Sequence, residues 1–154
     1  YAWHVIGQYF TPHVASLKQT SDQTISSGSS VVVSYDTVEY ENGADADTSA
    51  NKITVKRAGK YLISANIAMT GMMSSDFIQL LFEKNGNSSN RYNRVRAAAT
   101  SGGQPAAHCV ALLDLDADDY IKCLAYHAAG MSKSTNSSST YKQNEMRFFV
   151  QEVR

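Results

Sequence analysis

The chain has 154 residues, 43% of them hydrophobic and 18% charged, the makeup of one ordinary globular domain and not of a disordered segment. Fourteen Lys and Arg balance fourteen Asp and Glu, which argues against nucleic-acid binding, because neutralising phosphates needs a basic excess. No run approaches the ~20 apolar residues that span a bilayer, and two cysteines are too few for a disulfide-framed scaffold.

The opening Tyr1-Ala2-Trp3-His4 lacks a charged n-region followed by an apolar h-region, so no cleavable leader is expected. The chain does not begin with Met, so either the numbering is shifted or this is a processed or excised piece of a longer protein. Tyr1, Trp3, Val5, Ile6, Tyr9 and Phe10 make the first segment aromatic and apolar up to Thr11-Pro12. Ala15-Ser16-Leu17-Lys18 reads as a first strand. Gln23-Thr24-Ile25-Ser26 leads to a turn at Ser27-Gly28-Ser29, then Val31-Val32-Val33-Ser34-Tyr35 and Val38-Glu39-Tyr40 read as strands. Ala44 to Asn51 is polar and acidic, a loop. Lys52-Ile53-Thr54-Val55-Lys56 alternates, with Ile53 and Val55 inward, and Ala58-Gly59-Lys60 is a turn.

Tyr61 to Met69 is a long strand with Tyr61, Ile63, Ala65 and Ile67 on one face. Phe77 to Lys84 is a strand stopped by the turn dipeptide Asn85-Gly86. Tyr92 to Ala98, Cys109 to Leu115, Tyr120 to Tyr126 and Glu145 to Val153 read as further strands. Acidic Asp116-Ala117-Asp118-Asp119 is a turn, and Ser132 to Thr140 a polar loop. About ten strands with regular turns and no helices predict an all-β antiparallel sandwich or jelly roll.

The order of these signals resembles the complement C1q and tumour-necrosis-factor jelly-roll family, its bacteriophage members in particular. Lys52 to Ala65, with Ala58-Gly59-Lys60-Tyr61 at its centre, is similar to the family's core of strand, Gly, Tyr and strand. Lys84-Asn85-Gly86 is similar to its hairpin. Leu113-Asp114-Leu115-Asp116-Ala117-Asp118-Asp119-Tyr120 looks like its strand, Glu-Ala-Gly-Asp turn and strand, and Phe148-Phe149-Val150 like its closing strand. Asp118 stands where the family has a turn Gly; Asp tolerates the left-handed region better than most residues.

The resemblance covers Ser16 to Val153. It implies a non-enzymatic homotrimer of roughly ten-stranded jelly rolls, and for the phage members a virion part. On that reading residues 1–14 are an arm or attachment segment and 15–154 the jelly roll. Cys109 and Cys123 then lie in opposing sheets and both point inward. They are either free thiols acting as small hydrophobes or a disulfide across the sandwich; a lone pair lacks the ligands for zinc.

No G-x-S-x-G elbow marks a nucleophile, and no catalytic activity is expected. His4, His13, His108 and His127 are scattered, as surface or interface residues are, and His108 and Cys109 point to opposite faces. Asp45, Asp47, Asp116, Asp118 and Asp119 offer oxygens for calcium, which needs about six to eight, but without EF-hand spacing. Solvated acids and no cofactor are the expectation, calcium the alternative.

Nine Tyr and five Phe exceed the needs of one small core, and a three-fold interface would absorb some. Leu124 and Tyr126, facing away from Cys123, and Phe149 are the interface candidates. Tyr1, Trp3, Tyr9 and Phe10 are the candidates for attachment to a partner, with packing on their own trimer the alternative; the loop with Met72 and Met73 reads as tucked against the core, with a second contact the alternative. The leading expectation is a capsid decoration or cement protein, or a fibre head, bound to the major capsid protein or another virion component. The alternative is a secreted complement-type module binding carbohydrate or protein.

Overall fold

The computed structural model describes residues 10–100, 104–137 and 145–154. Among these residues all regular structure is β: β1 (Val14–Gln19), β2 (Thr24–Ile25), β3 (Val31–Val32), β4 (Thr37–Asn42), β5 (Ala44–Asp47), β6 (Lys52–Val55), β7 (Gly59–Thr70), β8 (Phe77–Lys84), β9 (Arg91–Ala98), β10 (Ala106–Leu115), β11 (Tyr120–His127), β12 (Lys133–Thr135) and β13 (Met146–Val153). Every pairing is antiparallel. One sheet runs β2-β12-β7-β13-β1-β4 with β10 on the free side of β7; the other runs β5-β6-β11-β8-β9 with β3 on β11. β1 and β13 lie side by side, so the chain enters and leaves the fold at the same end.

Period-two alternation builds the core between the sheets. Tyr61, Ile63, Ala65 and Ile67 of β7 and Met146, Phe148 and Val150 of β13 face Ile78, Leu80 and Phe82 of β8 and Ile121, Cys123 and Ala125 of β11. Phe148 sits at the centre, its ring 5.7 Å from that of Tyr35 and 6.2 Å from that of Phe82.

Four stretches differ from the sequence expectation. Gly59 and Lys60, expected in a turn, open β7. Ala44–Asp47 is a strand, not a loop, paired with β6 from Ala44↔Val55 to Asp47↔Lys52. Its Ala-Asp alternation has weak strand propensity, and burial of Ala44 against the core overrides it. Lys133–Thr135, expected as loop, bridges β7 and β2. Val33 to Tyr35, expected as strand, is not. There side chains replace the ladder: Gln23 bonds Val32 O and Ser34 N, and Asn51 Oδ1 accepts from Tyr35 N.

The turns follow their residues. Asn85 and Gly86 take φ of 54° and 66° under an Asn87 N–H to Lys84 O bond, the left-handed pair of a type I′ turn. Asp118 holds φ 69°. Among the described residues its one ion pair is an exposed one with Lys56 at 3.6 Å, worth little. Asp118→Gly should therefore stabilise the fold by about 0.5–1 kcal/mol, read as a higher urea midpoint at unchanged slope. A lower midpoint would mean that the carboxylate holds the turn.

Candidate subunit interface

The sheet of β10, β7, β13, β1 and β4 turns one face to the core and one outward. Register fixes the outward rows. Val110, Ser64, Phe149, Ser16 and Tyr40 stand in one row across the five strands, and Leu112, Leu62, Gln151, Val14 and Asn42 in the next. Leu112 is 59% exposed and Tyr40 49%, and Val110 is also open to solvent. The two serines keep the middle of the face low, and a shallow depression of about 390 Å³ lies over Ser16, Tyr40, Ser64 and Phe149.

Charges frame these rows. At one end Lys60 pairs with Asp114 at 2.7 Å. At the other Arg147 pairs with Glu39 and with Glu145, both at 2.8 Å, and Ser16 Oγ donates to Glu39 at 2.9 Å. An apolar centre with a polar, ion-paired rim is the anatomy of a protein–protein interface.

The three expected interface residues do not come together. Phe149 is central on this face. Leu124 and Tyr126 belong to β11 in the other sheet and face outward on the far side of the sandwich. Leu124 is buried beside its register partners Leu81 and Val32, and the Tyr126 ring lies 6.1 Å from Phe77, which Arg96 covers at 3.6 Å. Strand parity gives the side of a strand, not the sheet it joins. Sequence reasoning missed Tyr40, Val110 and Leu112. For Val110 and Leu112 the signal was Cys109 to Leu113, apolar at every position and thus a strand with two faces to cover.

Cys109 and Cys123 point into the core from opposite sheets, as expected, and both are free thiols rather than a disulfide. Cys109 Sγ bonds the Asn93 carbonyl, and burial raises its pKa to about 11. Burial also pushes the Cys123 thiol far up. His127, expected at the surface, is fully buried with Nε2 2.9 Å from Ile25 O. His108 is exposed and shares a 2.8 Å hydrogen bond with Ser64 Oγ. This serine–histidine contact has no acid behind the imidazole among the described residues, so it lacks the third member of a triad.

Asp119 binds Lys84, Asn85 Nδ2 and the Asp116 N–H, which makes it a turn cap. Among the described residues no group of three or more His, Cys, Asp or Glu gathers around a space for a metal ion.

Of the attachment candidates, Tyr1, Trp3 and Tyr9 lie outside the described residues. Phe10 is packed between the guanidinium groups of Arg154, at 3.8 Å, and Arg57, at 5.7 Å. The segment behind it is fastened too. Glu152, nearly buried, accepts from His13 N–H at 3.1 Å and from Arg57 Nε at 3.1 Å and Nη2, while Arg57 Nη2 also donates to Thr11 O at 3.2 Å. Residues 10–13 are thus part of the domain, not a free arm.

Burial raises the Glu152 pKa, but the Arg57 and His13 donors outweigh it and the net shift is downward. A folded-state value below the unfolded one gives stability above about pH 4.3 that is lost as pH falls through the folded value. The urea midpoint should fall more steeply from about pH 5 to about pH 3 in the native protein than in Glu152→Gln. The difference should be about 1 kcal/mol, since Arg57 is half exposed. Equal slopes would show that Glu152 contributes nothing to acid sensitivity.

No protein-family model matches the sequence, and no curated protein matches it. Solved structures do match in fold. A crystal structure of murine APRIL at pH 8.0 superposes with a TM-score of 0.65 at 12% identity, over 93% of this chain and all of that one. The structure of Eiger TNF from S. frugiperda gives 0.61 at 12% identity, over 94% of both chains. With its two antiparallel sheets, its antiparallel register throughout and these neighbours, the chain folds as a tumour-necrosis-factor-like jelly roll.

Proposed function

We propose that this protein is a non-catalytic recognition module that assembles as a homotrimer through the outer face of the β10-β7-β13-β1-β4 sheet. The observation that carries the proposal is that face: Tyr40, Val110 and Leu112 exposed and Phe149 half-buried on one side of the sheet, inside a rim of paired charges. Several large apolar side chains turned outward on one sheet face are seldom left open on a monomer. The number three comes from the family that the sequence resembles, and a three-fold ring requires this face to meet a different patch on the next copy. The neighbours in fold, one murine and one from S. frugiperda, favour recognition over virion decoration. The virion reading rests on the family resemblance in sequence alone.

Both native thiols are buried, so an introduced cysteine can be labelled selectively. Leu112→Cys should react slowly with a polar maleimide at high protein concentration and faster on dilution. Met131→Cys, outside the face, should react fast at both. Rapid, concentration-independent reaction at position 112 would refute the use of this face.

A further inference from the structure

We propose that the outer face of β9 docks an acidic, extended segment of a partner protein, with Arg94 and Arg96 as the residues that grip its carboxylates. This deepens the recognition reading above and rests on it. β9 is the last strand of its sheet, paired with β8, and lies in the sheet opposite the face proposed for assembly. It carries Arg91, Arg94 and Arg96 and no acid, in a chain of zero formal charge.

A bulge gathers the three arginines on one face. Tyr92, Val95 and Ala97 pack against the core, and the arginines next to them turn away from it. Plain alternation would set Arg91 and Arg94, three residues apart, on opposite faces. Instead Leu80 pairs with Val95 and Phe82 with Tyr92, so Asn93 and Arg94 both stand opposite Leu81. Asn93 takes φ 46°, and β10 pins it there: Asn93 Nδ2 donates to Val110 O, and the Asn93 carbonyl accepts from Cys109 Sγ.

Two of the three cations have no counter-charge. All fourteen Asp and Glu lie among the described residues. Arg91 Nε donates to Glu83 Oε2 at 3.0 Å, but none of the fourteen forms an ion pair with Arg94 or Arg96. Both are exposed. The Arg96 guanidinium lies 3.6 Å from the centre of the Phe77 ring, which is itself 6.1 Å from Tyr126. A guanidinium braced on a ring keeps its N–H fork for a carboxylate.

Spacing and sign identify the occupant. Arg94 and Arg96 stand two residues apart, about 6–7 Å along the strand. An extended segment with acids at alternate positions presents its carboxylates at the same interval, and each can be held by two N–H bonds. A continuous polyanion fits less well. Glu83 stands on the same face, and at the opposite edge of the sheet β5 turns Asp45 and Asp47 outward while Ala44 and Ala46 face the core. A sulfated sugar, a nucleic acid or an anionic membrane laid across this sheet would meet those carboxylates.

The test is NMR of the full chain with ¹⁵N-labelled arginines, titrated with the peptide Ser-Glu-Ser-Glu-Ser blocked at both ends. Its glutamine counterpart, a sulfated oligosaccharide and phosphatidylserine vesicles serve as comparisons. The Nε–H signals of Arg94 and Arg96 should shift with the acidic peptide, about tenfold more weakly with the glutamine one, and less as salt rises from about 0.05 to about 0.5 M. The double variant Arg94→Gln, Arg96→Gln should lose this binding while keeping the native oligomer mass and urea midpoint, so failure here is distinguishable from failure of the trimer. No shift at millimolar peptide, an equal response to the glutamine peptide, tighter binding of the oligosaccharide or the vesicles, or a lower oligomer mass in the double variant would overturn the proposal.

Discussion

Phe149→Asp should convert the assembly to folded monomers. Phe149 is central in the outward row between Ser64 and Ser16, and truncating a central aromatic anchor costs an interface 2 kcal/mol or more. Aspartate adds the penalty of a buried, unpaired charge, so the total should exceed about 4 kcal/mol, roughly a thousandfold in dissociation constant. The change touches no core residue, and the monomer should keep a cooperative unfolding transition. An unchanged mass for Phe149→Asp would contradict the placement of the interface. Tyr126→Asp, on the other sheet, should leave the mass as it is.

Phe148→Ala, one residue earlier, should do the reverse. Phe148 has no exposed surface, and its ring lies between those of Tyr35 and Phe82. Removing a buried phenylalanine costs about 3–5 kcal/mol from lost transfer energy and the cavity left behind. This is a large share of the 5–15 kcal/mol that holds an ordinary domain. The urea midpoint should drop accordingly, and a change below about 1 kcal/mol would mean that the two sheets close over the gap. The two adjacent phenylalanines thus separate folding from assembly, because successive side chains on a strand face opposite ways.

That alternation was legible in the sequence, and so was most of the fold. Tyr61, Ile63, Ala65 and Ile67 share the buried face as their spacing predicts. Asn85-Gly86 and Asp118 turn where turn chemistry predicts. What failed were segments whose local chemistry is overruled by partners distant in sequence: the Ala-Asp strand β5, the Lys-Ser-Thr strand β12, and Val33 to Tyr35, held by Gln23 and Asn51 side chains. The candidate site was half legible. Parity was applied to Leu124 and Tyr126, and they were grouped with Phe149 because sequence spacing does not say which sheet a strand joins. Val110 and Leu112 were open to detection from a strand apolar on both faces. Tyr40 was not, since it follows a register shift between β1 and β4 that no local pattern encodes.

The central claim is assembly through one sheet face, and the most direct test is the mass of the native protein by sedimentation equilibrium across a range of micromolar concentrations. The expected result is three times the 16.8 kDa chain mass, reduced to a single chain by Phe149→Asp. A native protein that stays at one chain mass throughout that range, or that forms a dimer, would contradict it.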